Sequence, residues 1–326
     1  MPDSTALLKA PIFLSDLARP KGWQPHLAIL IYHQVLVQRD PLRPGVILKD
    51  EFARQMALLR KFFSPISLKE GVKRLAEGTL TPRCVCVTFD DGYSDNLTVA
   101  APLLEEYGIP ATVFVAPGFL DGGAMWNDRV IEAVGQATES QLDGELFGLG
   151  VLPMETYERK QVTIRKLLAA IKHRPMKERD RLVNELEQIL RPCREKSLMM
   201  TTEQLRELCR FGIDVGAHTC NHPILSCEDD QTARAEIIES KALLERVLQK
   251  PVDLFAYPNG RRGTDYEFRH VEMAEGAGFF AAVSTDNGLN REANSVMQLH
   301  RFTPWDKHSL KFGLRLLSNE FSLARS

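Results

Sequence analysis

The chain has no apolar run of the roughly 18 residues that a membrane-spanning helix requires, so no integral membrane segment is expected. It has almost no net charge, −2 over 326 residues. It therefore carries no basic footprint for nucleic acid or for an anionic membrane. Its six cysteines, at 84, 86, 193, 209, 220 and 227, form no compact framework. The stretch from Met1 to Pro25 lacks a basic start followed by a clean apolar core, so no export signal is read. Reduced thiols in a cytoplasmic protein are the resulting expectation. There is no repeat of fixed period, no low-complexity tract, and no pattern that specifies an oligomeric state. What remains is an ordinary globular composition, 44% hydrophobic and 26% charged, in a chain long enough for one large domain or two smaller ones.

Strand and helix signals alternate along the chain. Leu27 to His33 reads as a buried strand that ends in a polar aromatic pair. Phe52, Met56, Leu59 and Phe63 share a helical face, and Ser67 with Glu70 marks the start of another helix to Glu77. Cys84 to Phe89 is a β-favouring run, followed by a helix from about Ser94 to Tyr107, a Gly108-Ile109-Pro110 stop and a second strong strand from Ala111 to Ala116. From about 121 to 200 the character changes to polar, basic helix formers, which predicts a helical insertion on the side of the core. Alternation then resumes. Thr202 is expected to cap a helix to about Arg210, and a strand follows from Phe211 to Gly216. A long helix spans Gln231 to Gln249, a strand Val252 to Tyr257, a helix Tyr266 to Gly276, and strands Phe279 to Ser284 and Val296 to Phe302. The tail from Ser309 to Leu323 reads as an amphipathic helix docked on the core. Repeated strand–helix units predict an α/β fold built on a parallel sheet, open or closed into a barrel.

Three strand ends carry unusual chemistry. The first, Thr88-Phe89-Asp90-Asp91-Gly92-Tyr93, places two adjacent carboxylates before a glycine turn. Neighbouring strand residues point in opposite directions, so Asp90 and Asp91 should have different tasks. The second is His218-Thr219-Cys220-Asn221-His222-Pro223. Imidazoles four residues apart can face the same way over one turn, a spacing that zinc enzymes use, while Cys220 is offset away from the pair. The third is Tyr257-Pro258-Asn259-Gly260. Each motif alone could be an ordinary turn or a pair of surface histidines.

Together the three motifs closely resemble those of the polysaccharide deacetylases, the NodB-homology or carbohydrate esterase family 4 enzymes, over roughly residues 27–305. The resemblance implies an irregular (β/α)7 barrel, related to the TIM barrel, as a single domain with the insertion at about 121–200 and a C-terminal helix at about 309–323. It implies Asp91, His218 and His222 as metal ligands and Asp90 as the general base. The metal would be a divalent ion, zinc by ligand type, with cobalt, nickel or manganese compatible. Asn259 would use its backbone N–H to hold the oxyanion, and Tyr93, Tyr257, Pro258 and Trp305 are the expected substrate contacts, with Trp126 and Asp306 as further candidates for walling the sugar site. The implied reaction is removal of N-acetyl groups from amino-sugar units of a polysaccharide or glycan precursor.

Two departures from the family pattern stand out. Ala256 occupies a position where many members have an arginine that holds the base, and Arg301 on the last strand is the candidate to replace it. The family's acid histidine has its nearest counterpart in His300, with His33 as the second candidate. His173 and His270 lie in polar, helix-rich contexts and are expected to be solvated. Two other functions fit the motifs: hydrolysis of a small non-sugar amide, or a glycan-binding module that has lost turnover.

Overall fold

A computed structural model of the chain describes residues 8–17, 23–193, 197–291 and 296–322. Part of the Met1–Pro25 stretch and Leu323 of the expected tail helix lie outside them. The first half runs α1 (Lys9–Leu17), β1 (Ala28–Tyr32), β2 (Val35–Leu36), β3 (Ile47–Leu48), α2 (Lys49–Phe62), β4 (Ser64–Pro65), α3 (Leu68–Glu77), β5 (Cys84–Phe89), α4 (Ala101–Tyr107) and β6 (Ala111–Val115). Next come α5 (Trp126–Gln136), β7 (Gln141–Leu142), β8 (Leu152–Pro153), α6 (Tyr157–Lys172) and α7 (Met176–Leu190). The chain closes with α8 (Thr202–Arg210), β9 (Asp214–Ala217), α9 (Asp230–Leu248), β10 (Leu254–Ala256), α10 (Phe268–Gly276), β11 (Ala281–Val283) and α11 (Ser309–Ser322).

One parallel sheet in the order β1-β5-β6-β9-β10-β11 curls into an irregular barrel, with β4 paired to the start of β5. The expected last strand does not form as a regular strand. Val296–Gln298 is a turn of 3-10 helix, after which Leu299 bridges Val283 and Phe302 bridges Leu30. That short stretch joins β11 to β1 through hydrogen bonds such as Leu299 N–H to Ala282 O (3.0 Å) and Phe302 N–H to Ile29 O (2.7 Å).

The period of two sorts residues cleanly between two layers. Cys84 and Cys86 of β5 pack inside the barrel with Ile29, Phe114, Ala256, Val283 and Leu299. Val85, Val87 and Phe89 face outward, under the helices, with Phe255 and Tyr257. Gly216 is required where it stands, because a Cβ there would lie 2.4 Å from the Phe114 ring.

Local signals set most helix ends. Ser67 accepts the Glu70 N–H (3.3 Å), and Gly78 closes α3 with φ +66°. The cap of α8 is Thr201 rather than Thr202: its hydroxyl accepts the Gln204 N–H while the Gln204 side chain returns to the Thr201 N–H. The helix expected from Ser94 starts instead with a wider π-type turn, Asn96–Ala100, ahead of α4.

The 121–200 region contributes α5, α6 and α7 with a small antiparallel hairpin, β7–β8, that local periodicity did not announce. Val130, Val134, Leu167, Ile171, Val183 and Leu186 gather these helices around an apolar cluster of their own. His270 is fully buried, not solvated, with its ring accepting the Glu267 N–H (2.9 Å). His173 is half-exposed, and its ring lies 3.0 Å from Asp265.

Candidate active site

The unusual strand ends converge at one mouth of the barrel, where parallel α/β folds place their sites. Thr88 faces inward on β5, and Asp90 continues that parity. Asp91 then takes φ +78° and Gly92 φ +88°, which turns the second carboxylate back over the barrel mouth. On the loop after β9, Thr219 and His222 also have positive φ, +59° and +51°. Non-glycine residues in this region are strained, and such strain concentrates at functional sites.

The result is a compact donor set. His218 Nε2 and His222 Nε2 each lie 3.5 Å from Asp91 Oδ1. One ligand atom from each of the three residues falls within 4.8 Å of the others, and all three side chains are buried. The His218 ring is oriented by a 2.7 Å contact between Nδ1 and the Ala256 carbonyl, which leaves Nε2 facing the cluster. Asp91 Oδ1 is buried and has no hydrogen-bond partner among the described residues. A buried carboxylate oxygen without a donor, facing two imidazole nitrogens, fits a divalent cation, and a two-imidazole, one-carboxylate set suits zinc. Burial pushes His222 down to about 3, so it is neutral and its nitrogen free to ligate. Burial also depresses His218, but the charges of Asp90 and Asp91 outweigh it and the net shift is upward. A proton and a cation therefore compete for that ring.

Asp90 is kept apart from the donor set by Arg301. The guanidinium donates to both carboxylate oxygens, at 2.6 and 2.7 Å, and also to the Ser284 carbonyl at 2.7 Å. Both side chains are buried. Burial raises the Asp90 carboxyl, yet the Arg301 charge, helped by His218, holds it below the usual carboxylate range. Asp90 is thus an ionised acceptor lying 3.9 Å from His218. Arg301 reaches Asp90 from the stretch that joins β11 to β1, supplying a guanidinium that the methyl group of Ala256 does not.

A cleft of about 560 Å³ opens beside the cluster and is lined by Asp90, Asp91, His218, His222, Asn259 and Trp305 among others. Asn259 has φ +57°, its carbonyl accepts the Thr285 hydroxyl, and its N–H has no hydrogen-bond partner among the described residues. Trp305 is 71% exposed at the mouth. Trp126 packs into the α5–α7 cluster with one edge on the cleft, and Asp306 is absent from the lining and pairs with Arg315 (2.6 Å).

Four expected contacts lie elsewhere. His300 falls between inward-facing Leu299 and Arg301, so it points outward, exposed and against Gly288. His33, at the end of β1, lines the cleft instead. Tyr257 belongs to the outward parity of β10, stacks on Tyr266 and donates to the Met297 carbonyl. Pro258 is buried behind it. Tyr93 is buried beside the cleft and donates to Asp128 (2.8 Å), which pairs in turn with Arg43 (3.0 Å).

The bracing of the histidine loop had no sequence signal. Buried Arg179 of α7 donates to the His222 carbonyl (2.8 Å) and the Asn221 carbonyl (3.1 Å). Glu236 of α9 accepts the N–H groups of Cys220 and Asn221 at 2.9 and 2.8 Å. Such long-range pairs leave no local spacing to read.

A family model described as polysaccharide deacetylase matches residues 77–141 and 176–279, together more than half of the chain. YxkH of Bacillus subtilis (strain 168), named as a polysaccharide deacetylase, is 24% identical over 277 residues, covering 84% of this chain and 70% of that protein. Among solved structures, the Streptococcus pyogenes deacetylase PplD, in complex with acetate, superposes with a TM-score of 0.61 at 20% identity, covering 90% of this chain and 99% of its own. IcaB from Ammonifex degensii gives 0.54 at 21% identity, covering 89% and 97%.

Proposed function

Because the chain belongs to the polysaccharide deacetylase family, we propose that it hydrolyses N-acetyl groups on amino-sugar units of a polysaccharide or glycan precursor, with a divalent metal held by Asp91, His218 and His222. The observation that carries this reading is a convergent Asp-His-His set beside a second carboxylate, Asp90, which is clamped by arginine and not recruited as a ligand. Such an ion, when bound, would supply Lewis acidity and would lower the pKa of a water toward about 7.

The chain's own residues supply the rest. Asp90, ionised and fixed by Arg301, accepts the proton of the attacking water. The Asn259 N–H, with no other partner among the described residues, donates to the carbonyl oxygen as it gains charge. His33, on the cleft wall, donates a proton to the departing amine, the task that outward-facing His300 cannot perform. The exposed face of Trp305 suits a pyranose ring, and a cleft of about 560 Å³ is large for a small non-sugar amide. Asp90 argues against a binding module without turnover, since a buried non-ligating carboxylate contributes nothing to holding a glycan.

The test is acetate release from N-acetylglucosamine oligomers by the zinc-loaded protein, beside Asp90→Asn. Release by the parent and a loss of at least 100-fold in the variant is expected, the lower range of general-base contributions. Equal rates in both would remove Asp90 from the reaction.

A further inference from the structure

Helix α6 presents one face to the substrate cleft. Arg165, Leu168, Ala169 and Lys172 follow the i, i+3, i+4, i+7 spacing of a single helical stripe. Leu168, Ala169 and Lys172 line the main cleft, and Arg165 with Leu168 lines an adjoining hollow of about 370 Å³ that shares His33 and Asn127 with it. The stripe is therefore cationic at both ends and small and apolar between them. Across the cleft, Lys307 stands two residues from Trp305.

Two of these cations lack a matched anion, and the third, Lys172, has only a long ion pair. Arg165 has no ion-pair partner among the described residues, and Lys307 donates only to the Pro44 carbonyl, at 3.2 Å. Lys172 lies 4.0 Å from Asp265, beyond hydrogen-bond range. That carboxylate already takes the His173 ring and the Arg261 N–H, each at 3.0 Å. Of the acidic residues that share the cleft walls, Asp90 is paired with Arg301 and Asp128 with Arg43 and Tyr93, and Asp91 belongs to the candidate metal set. Cations held around a concave, low-dielectric surface focus a positive potential into it. The family match skips residues 142–175, which contain the whole of α6, so this basic face lies outside the part of the chain that the family model describes.

We infer that the glycan bound here carries anionic groups, phosphate or carboxylate, on the units flanking the amino sugar that reacts. The inference rests on the deacetylase reading. The apolar middle of the stripe lies against a sugar face, Arg165 and Lys172 meet anions along one side, and Lys307 meets one from the other.

The test separates binding from turnover. Calorimetry on the chelator-treated full chain, which isolates the side-chain cations, compares three oligomers. These are neutral N-acetylglucosamine, alternating N-acetylglucosamine and glucuronate, and a phosphodiester-linked N-acetylated amino sugar. At least one anionic oligomer should bind ten-fold or more tighter than the neutral one at low salt. The preference should collapse in 0.5 M salt and in the triple variant Arg165→Gln/Lys172→Gln/Lys307→Gln. Whichever anionic oligomer binds tighter identifies the source of the charge. Equal binding of all three, or a preference that survives the triple substitution, overturns the inference. Acetate release by the metal-loaded parent is scored separately, so failure of the deacetylase reading is not confused with failure of this one.

Discussion

Arg301→Met tests how the site holds its second carboxylate. The substitution keeps approximate length and removes the guanidinium that contacts both Asp90 oxygens at 2.6 and 2.7 Å. Asp90, 2% exposed, then keeps a charge with no close match. Removing one partner of a buried ion pair costs about 3–5 kcal/mol. The lower end applies here, because His218 remains 3.9 Å from Asp90 and offsets part of the loss. With an unfolding entropy of about 2.1 cal/mol/K per residue, each kcal/mol lowers the midpoint of a 326-residue chain by about 1.5 °C. A drop of about 4–5 °C in thermal unfolding is expected, measured with chelator present so that metal does not mask it. Asp90→Asn added to Arg301→Met removes the orphaned charge and should recover roughly half of that drop or more. A single variant within 1 °C of the parent, or a double variant no better than the single, would refute this account of the pair.

Gly216→Ala drives a methyl group to 2.4 Å from the Phe114 ring and 3.0 Å from the Leu254 carbonyl; urea unfolding should show a loss of about 1–3 kcal/mol, as overpacked cores do. His270 is held at about 4, chiefly by burial and then by Arg269, against 6.5 in the unfolded chain. The unfolded state therefore binds the extra proton first, and the stability present above pH 6.5 is lost as pH falls toward 4. His270→Gln should flatten that part of the stability–pH profile, and an unchanged slope would show that other groups set it.

Much of the site was legible because strand ends in a parallel barrel announce themselves. Asp90-Asp91-Gly92, His218 with His222, and Asn259-Gly260 each follow a β-favouring run, and although any one of them could be a plain turn, the three together are not ordinary turn chemistry. Arg301 was legible as the partner for Asp90 because the resemblance implies an arginine on the base and Ala256 stands where many members of the family carry it. The misassignments share one cause. His300, Tyr257 and Pro258 sit next to functional residues in the chain, but parity turns His300 outward to solvent and Tyr257 into the layer under the helices, and Pro258 is buried. A last strand is expected from Val296 to Phe302, whereas a 3-10 turn at Val296–Gln298 leaves only isolated bridges at Leu299 and Phe302. His270 was hidden by polar neighbours on its helix, since solvation depends on which face turns inward. Arg179 and Glu236 could not be found by spacing, because they meet the histidine loop only through the packing of α7 and α9.

The most direct test of the central claim is a metal titration followed by acetate release. Zinc added to the chelator-treated chain should raise the rate on an N-acetylated oligomer linearly up to one equivalent and no further, while Asp91→Asn, which removes one ligand charge, should give neither tight binding nor activity. Full activity in the chelated protein, or an Asp91→Asn variant that titrates like the parent, would contradict a metal centre built from Asp91, His218 and His222.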